Sequence, residues 1–318
     1  MKTIASYIRA YFKEEWNTKL FVFVAAFLFL SFSINYIFDF EVTVLRRLQN
    51  PFELFVFYFL LYSFPFCVTV AAYAITTRRT AFIQKAGFWK LTVLCFVLLA
   101  TYITLHNVPT YFYVNAPEFF EFLPKNLRWY SLRYAANLFP GLLIFFPVAF
   151  YWYSKDKPGS RLYGFSSSSI NLNTYAGIIL LLLPVVFAAS FNGDFQTAYP
   201  RYKFGLPTDV VGAELAALVG LFEVCYGVDF VFVEFFFRGF MVMAFAKYLG
   251  KGSILPMVVV YAFIHFQKPL GEAIGSIAGG LVLGIISYET RSIYGGIMLH
   301  LGVAYMMEIA GTIQRLLR

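Results

Sequence analysis

Glu234 and Arg238 stand four residues apart in Asp229-Phe-Val-Phe-Val-Glu234-Phe-Phe-Phe-Arg238-Gly239-Phe, a stretch that is otherwise apolar enough to cross a membrane. A charge facing lipid at mid-bilayer costs about 2.5–3.5 kcal/mol, so both side chains must face protein or water. On a helix the i, i+4 spacing puts them on one face, where they neutralise each other. Downstream come His265, Glu272, His300 and Glu308; upstream are Glu223 and Asp229. Carboxylates and imidazoles gathered at one membrane depth are the raw material of hydrolysis. A base takes a proton from water, while donors or a metal hold the developing oxyanion. Two histidines and a carboxylate, here His265, His300 and Glu234, would also satisfy a catalytic zinc or similar divalent metal with one open position. No His-Glu-x2-His run is present, so such a site would have to assemble across helices. Each residue also has a plainer reading. Arg238 serves as the counter-ion of Glu234, and a lone histidine in a span serves as an interhelical hydrogen-bonding group.

The elements that must position these residues are helices in lipid. Hydrophobic residues make up 60% and charged residues 13% of the 318, and mean hydropathy is +0.70. Apolar runs long enough for a hydrocarbon core recur near 20–38, 53–76, 88–106, 134–153, 174–191, 208–226, 229–248, 254–266, 273–289 and 293–313. The fold expected is an all-α polytopic helical membrane bundle of about eight to ten helices, with a break at Tyr226-Gly227-Val228-Asp229. The runs lack the two-residue alternation of a β-barrel wall. The 40 Phe and 23 Tyr fit lipid contact and interfacial belts, not a nucleic-acid surface. A formal charge of +8 accordingly reads as topology and attraction to anionic lipids. Lys and Arg are denser on the segments that lie inside if the N-terminus is cytoplasmic. Residues 1–18 read as an amphipathic lead-in, and Cys67, Cys95 and Cys225 as inert buried thiols.

A Ser-, Gly- and Lys-rich stretch at 154–173 reads as a linker between an accessory N-terminal transmembrane block, 1–165, and a chemistry-bearing core, 166–318. With the N-terminus inside, counting crossings brings Glu234, His265, Glu272 and His300 to the cytoplasmic half. No internal repeat is evident, which weighs against an inverted-repeat transporter.

Val233-Glu234-Phe-Phe-Phe-Arg238-Gly239, Tyr261-Ala-Phe-Ile-His265 and His300 in a final span resemble the CAAX-processing and bacteriocin-processing intramembrane proteases, the CPBP family. That family is marked by Glu-Glu-x3-Arg, Phe-x3-His and His-x3-Asn/Asp on successive core helices. The resemblance covers about residues 170–318. It implies that the first glutamate and first histidine activate water, with or without a divalent metal, and that the last histidine and Asn support the oxyanion. By position, Glu234 and Arg238 correspond to the second glutamate and the arginine, and His265 and His300 to the two histidines. This chain departs at Val233, where the first glutamate would stand, at Tyr261, and at Ala304 in place of Asn/Asp. His265-Phe-Gln-Lys268-Pro269-Leu-Gly-Glu272 resembles a subgroup with Lys-Pro and a following glutamate. Pro269 interrupts any continuous helix, so Glu272 can return towards His265 and supply the carboxylate lost at Val233. Pairing with Lys268 or capping the next helix is its plainer role.

The resemblance therefore implies an intramembrane endopeptidase near the cytoplasmic face, acting on a membrane-associated peptide or protein, lipidated or not. Glu234, Arg238, His265, His300 and Glu272 are its expected site. A catalytically silent scaffold or immunity protein is the alternative that Val233 and Ala304 favour. A transporter or channel using the intramembrane acids is a third.

Overall fold

The computed structural model of the protein describes residues 2–48, 50–115, 118, 121, 125–157, 161–166, 172–203 and 212–317, and gives only the backbone of residues 2, 3, 109–115, 125–137 and 214. Positions 158–160 and 167–171 of the 154–173 linker lie outside the described residues, as do 208–211 of the span expected at 208–226.

All regular structure among the described residues is helical. The α-helices are α1 (Lys2–Glu15), α2 (Thr18–Phe38), α3 (Phe40–Leu45), α4 (Pro51–Thr77), α5 (Ala86–Asn115), α6 (Lys125–Tyr151), α7 (Leu172–Ala189), α8 (Gly193–Ala198), α9 (Gly212–Glu234), α10 (Phe245–Leu249), α11 (Ile254–Phe263), α12 (Leu270–Thr290) and α13 (Tyr294–Leu316). The chain between α9 and α10, Phe235–Ala244, is wound as a π-helix. Local chemistry sets several of these boundaries. Asn17 Oδ1 accepts from Leu20 N at 3.1 Å to start α2, and Asn50 Oδ1 accepts from Glu53 N at 3.0 Å with Pro51 in the first turn of α4.

Among the described residues seven helical runs are long and apolar enough to cross a membrane, which makes the fold the expected polytopic all-α bundle. One of them, Leu215–Phe263, is 49 residues long and takes in the stretch expected at 229–248 and parts of those expected at 208–226 and 254–266. The break expected at Tyr226–Asp229 is absent, because α9 runs unbroken through it. Gly227 serves a close approach instead. A Cβ there would lie 2.2 Å from the Tyr305 hydroxyl, which donates to the Glu223 carbonyl at 2.9 Å. One glycine without a following proline does not stop a helix when a neighbour needs its space.

The described residues fall into two compact units that interleave in sequence, one formed by 1–101, 148–170 and 234–296, the other by 102–147, 171–233 and 297–318. In the first unit α11 packs against α4, α12 and the π-helix, and all ten of its residues are buried. That burial explains how a helix too short to span lipid alone is stable here: its apolar surface faces protein all round. In the second unit the buried Glu308 carboxylate accepts from the Arg201 backbone N–H at 2.8 Å, and Gln314 Nε2 donates to Ser190 Oγ at 3.0 Å.

Candidate functional site

In the first unit the chemistry starts where α9 gives way to the π-helix. Phe235 to Ala244 are all buried, Arg238 among them. Glu234 and Arg238 retain no exposed surface, and Arg238 Nη1 lies 3.0 Å from Glu234 Oε1. The ion pair expected from the spacing is therefore made, and it is fully desolvated. Removing either partner would leave a buried charge uncompensated, which costs about 3–5 kcal/mol in comparable settings. π-helical turns are uncommon and concentrate at functional sites.

Tyr261 of α11 connects this pair to His265. The Arg238 guanidinium carbon sits 4.0 Å from the centre of the Tyr261 ring, where a desolvated cation–π contact contributes about 2 kcal/mol. The same ring meets Phe237 at 5.1 Å and the His265 imidazole at 4.6 Å, both edge to face. Tyrosine at the position where the family has phenylalanine thus keeps the aromatic face that Arg238 and His265 share. His265 Nδ1 lies 2.8 Å from the Tyr261 carbonyl oxygen. A carbonyl only accepts, so Nδ1 carries the proton and Nε2 the lone pair. That tautomer can take a proton from water or bind a metal through Nε2.

His265 stands on a turn, not on a regular helix. α11 ends at Phe263, and residues 264–268 descend through short-range bonds such as Lys268 N to the His265 carbonyl at 2.9 Å. Pro269 then opens α12, as its ring dictates. Glu272 lies in the first turn of α12 with Oε1 3.5 Å from Lys268 Nζ, so the plainer pairing expected for it is formed. Its carboxylate is also close enough to act electrostatically on Tyr36 and Tyr261. At 19% side-chain exposure, Glu272 touches solvent, as Glu234 does not.

The second unit holds His300, whose ring packs on Phe230 at 4.4 Å between centroids. It also holds a cluster that sequence reasoning passed over. The Tyr102 hydroxyl donates to Asp229, His106 Nε2 lies 3.5 Å from Asp229 Oδ1, and His106 Nδ1 faces the Tyr102 carbonyl at 2.9 Å. Tyr102-x3-His106 repeats the spacing of Tyr261-x3-His265, and that was the available signal. Ala304 is buried on α13. Among the described residues no three His, Cys, Asp or Glu side chains are grouped so as to hold a metal ion.

Residues 216–306 match the family model described as Type II CAAX prenyl endopeptidase Rce1-like. The match bears out the CPBP resemblance over that segment, a little under a third of the chain, and Glu234, Arg238, His265, Glu272 and His300 all fall within it. No curated protein and no solved structure matches the chain.

Proposed function

We propose that this membrane protein, whose residues 216–306 carry the core of a CAAX endopeptidase family, hydrolyses a peptide bond in a membrane-associated protein or peptide. The observation that carries the reading is the state of His265. Its Nδ1–H is tied to the Tyr261 carbonyl, which makes Nε2 the basic nitrogen of the ring, the atom that would take a proton from water. Glu272 supplies the carboxylate missing at Val233: it follows His265 past the Pro269 turn, lies 3.5 Å from Lys268 Nζ, and is partly exposed. Glu234 and Arg238 touch neither water nor substrate. They are positioning residues that hold the Tyr261 ring and, through it, His265. His300 keeps the oxyanion-supporting role that the family motif implies. A prenylated peptide is the substrate class that the family description suggests.

The position of the site along α2 bears on which membrane face is served. Lys251 joins Glu14 of α1 at 2.9 Å and Glu289 of α12 at 2.8 Å near the start of α2, whereas the His265 turn meets Asn35 and Tyr36 near its end. A 21-residue helix is about 30 Å long, so the two clusters lie on opposite faces. On this reading the site and the N-terminus lie on opposite sides of the membrane.

The test is hydrolysis by purified protein of a mixed library of prenylated and unmodified peptides. Cleavage that disappears in His265→Ala, with membrane insertion intact, is the expected result. Cleavage unchanged in His265→Ala would refute the assignment. The second reading, a silent relative of the family, is favoured by Val233 and Ala304 and predicts no hydrolysis from the whole library.

A further inference from the structure

The His265 turn has a backbone problem. α11 stops at Phe263 and Pro269 prevents a continuous helix into α12, so residues 265–268 form a turn, closed at short range by Lys268 N donating to the His265 carbonyl at 2.9 Å. Buried carbonyls need donors from elsewhere. Within the same compact unit those donors come from the far end of the sequence, at the corner between α2 and α3. Asn35 Nδ2 donates to the Phe266 carbonyl at 2.9 Å. The Tyr36 hydroxyl donates to the Lys268 carbonyl at 2.7 Å, with the His265 carbonyl 3.3 Å away. Gln267 Nε2 donates to the Glu41 carboxylate at 2.8 Å. Three side chains of the N-terminal segment thus grip four consecutive residues, each 226 or more positions away in sequence.

The corner is built for this. Asp39 adopts φ 47°, a left-handed conformation that Asp tolerates better than most residues, and the chain turns there from α2 into α3. The turn brings Glu41 back so that its N–H donates to Asn35 Oδ1 at 3.1 Å, a pairing of residues six apart that a straight helix does not allow. Asn35 is consequently used at both ends of its amide: Oδ1 fixes the corner, Nδ2 fixes the turn. Asn35 and Glu41 are 5% and 3% exposed, costly for polar groups unless these bonds are made. Apolar contacts continue the grip. Phe32 meets Phe266 at 5.4 Å and Phe27 stacks on Phe263 at 5.9 Å.

We propose that Asn35, Tyr36 and Glu41 form a clamp that sets the orientation and tautomer of His265, so that the N-terminal segment is a positioning part of the hydrolytic site and not an accessory block. The proposal rests on the reading of His265 as the base. It assigns the α2–α3 corner a task that the 216–306 family segment leaves undone. The corner does not touch the reacting atoms. It fixes the backbone from which the imidazole projects, and an error of about 1 Å there is enough to slow a reaction a hundredfold.

The test uses the full chain in detergent or proteoliposomes, with two readouts. The first is kcat and KM for a cleaved peptide. The second, independent of activity, is the 15N spectrum of uniformly labelled histidine, in which each ring reports its own tautomer; three histidines are present, and His265→Ala identifies the relevant signals. In the wild-type protein His265 should show the Nδ1–H form. Tyr36→Phe removes one hydroxyl and nothing else, and should lower kcat on the order of tenfold at unchanged KM while the His265 signals move towards a mixture of tautomers. Asn35→Ala should do the same more strongly. Glu41→Leu should lower kcat, and Glu41→Gln, which can still accept from Gln267, should recover most of it. Wild-type kcat and wild-type His265 signals in Tyr36→Phe would overturn the clamp. So would activity lost only in step with melting temperature while the tautomer stays fixed, since that is merely a stabilising contact. If the tautomer responds as expected but the wild-type protein cleaves nothing, the clamp stands and the protease reading fails.

Discussion

A methyl group at position 296 would enter the space held by the Glu234 carboxylate. A Cβ built on Gly296 lies 2.2 Å from Glu234 Oε2, about 1.2 Å short of the 3.4 Å at which ordinary contact begins. Side-chain ends usually yield to such an intrusion cheaply, but this one sits in a fully enclosed site and is held 3.0 Å from Arg238. Gly296→Ala should therefore push the carboxylate away, stretch the ion pair and tilt the guanidinium off the Tyr261 face. Overpacking of this size costs about 1–3 kcal/mol of stability. If the pair orients His265 through Tyr261, the accompanying shift of the imidazole should lower kcat about a hundredfold, roughly 2.7 kcal/mol in activation free energy, with little change in KM. Peptide hydrolysis and thermal unfolding on the same preparation separate the two effects. Shortening the acid should relieve the clash, so Glu234→Asp added to Gly296→Ala should regain part of the lost kcat. Wild-type rate and melting temperature in Gly296→Ala would refute the view that Glu234 is rigidly placed, and with it the route from the buried pair to the base.

Arg238→Met should destabilise the protein by about 3–5 kcal/mol, because Glu234 is left as an unpaired buried charge, and adding Glu234→Gln should restore much of that loss; a double variant no better than Arg238→Met would contradict it. Glu272→Gln should abolish cleavage by orders of magnitude at unchanged stability, whereas near-normal turnover would return Glu272 to pairing with Lys268 and capping α12. Glu41 lies outside the spans, and burial pushes its carboxyl up from 4.5 to about 7 despite the opposing hydrogen bond from Gln267; Tyr36 and Tyr62 also face it. With the folded value raised, the contribution to stability is fully present below about pH 4.5 and is lost as pH rises through about 7, on the order of 3 kcal/mol across that window. Unfolding measured between pH 4.5 and 8 should show this slope in the wild type and a flatter one in Glu41→Gln; equal slopes would remove Glu41 as its source. Single cysteines placed before Thr18 and after Phe38 should label from opposite sides of sealed vesicles, with the cleaved peptide accepted only from the side of Phe38; acceptance from the other side would sink the placement.

What the sequence determined by itself was the solvent, the secondary structure and the chemical cast. Long apolar runs must be helices in lipid, because nothing else satisfies the backbone there, and a charged pair four residues apart among phenylalanines must close on itself. Pro269 likewise had to bar a continuous helix from the His265 segment into the next span. The tertiary structure decided what periodicity does not encode. Gly227 looked like a break and is a passage for Tyr305, since glycine reads alike whether it ends a helix or admits a neighbour. Tyr261 looked like a departure from an aromatic motif position and is the plate between Arg238 and His265. The tertiary structure groups residues 1–101 in one compact unit with 234–296. That grouping depends on hydrogen bonds such as Asn35 to Phe266, 231 positions apart. An isolated Asn near the end of one span and a carbonyl beyond the end of another carry no mark of each other in sequence. They meet because each is a buried polar group that the fold had to satisfy, and only the packed arrangement shows which partner each one found.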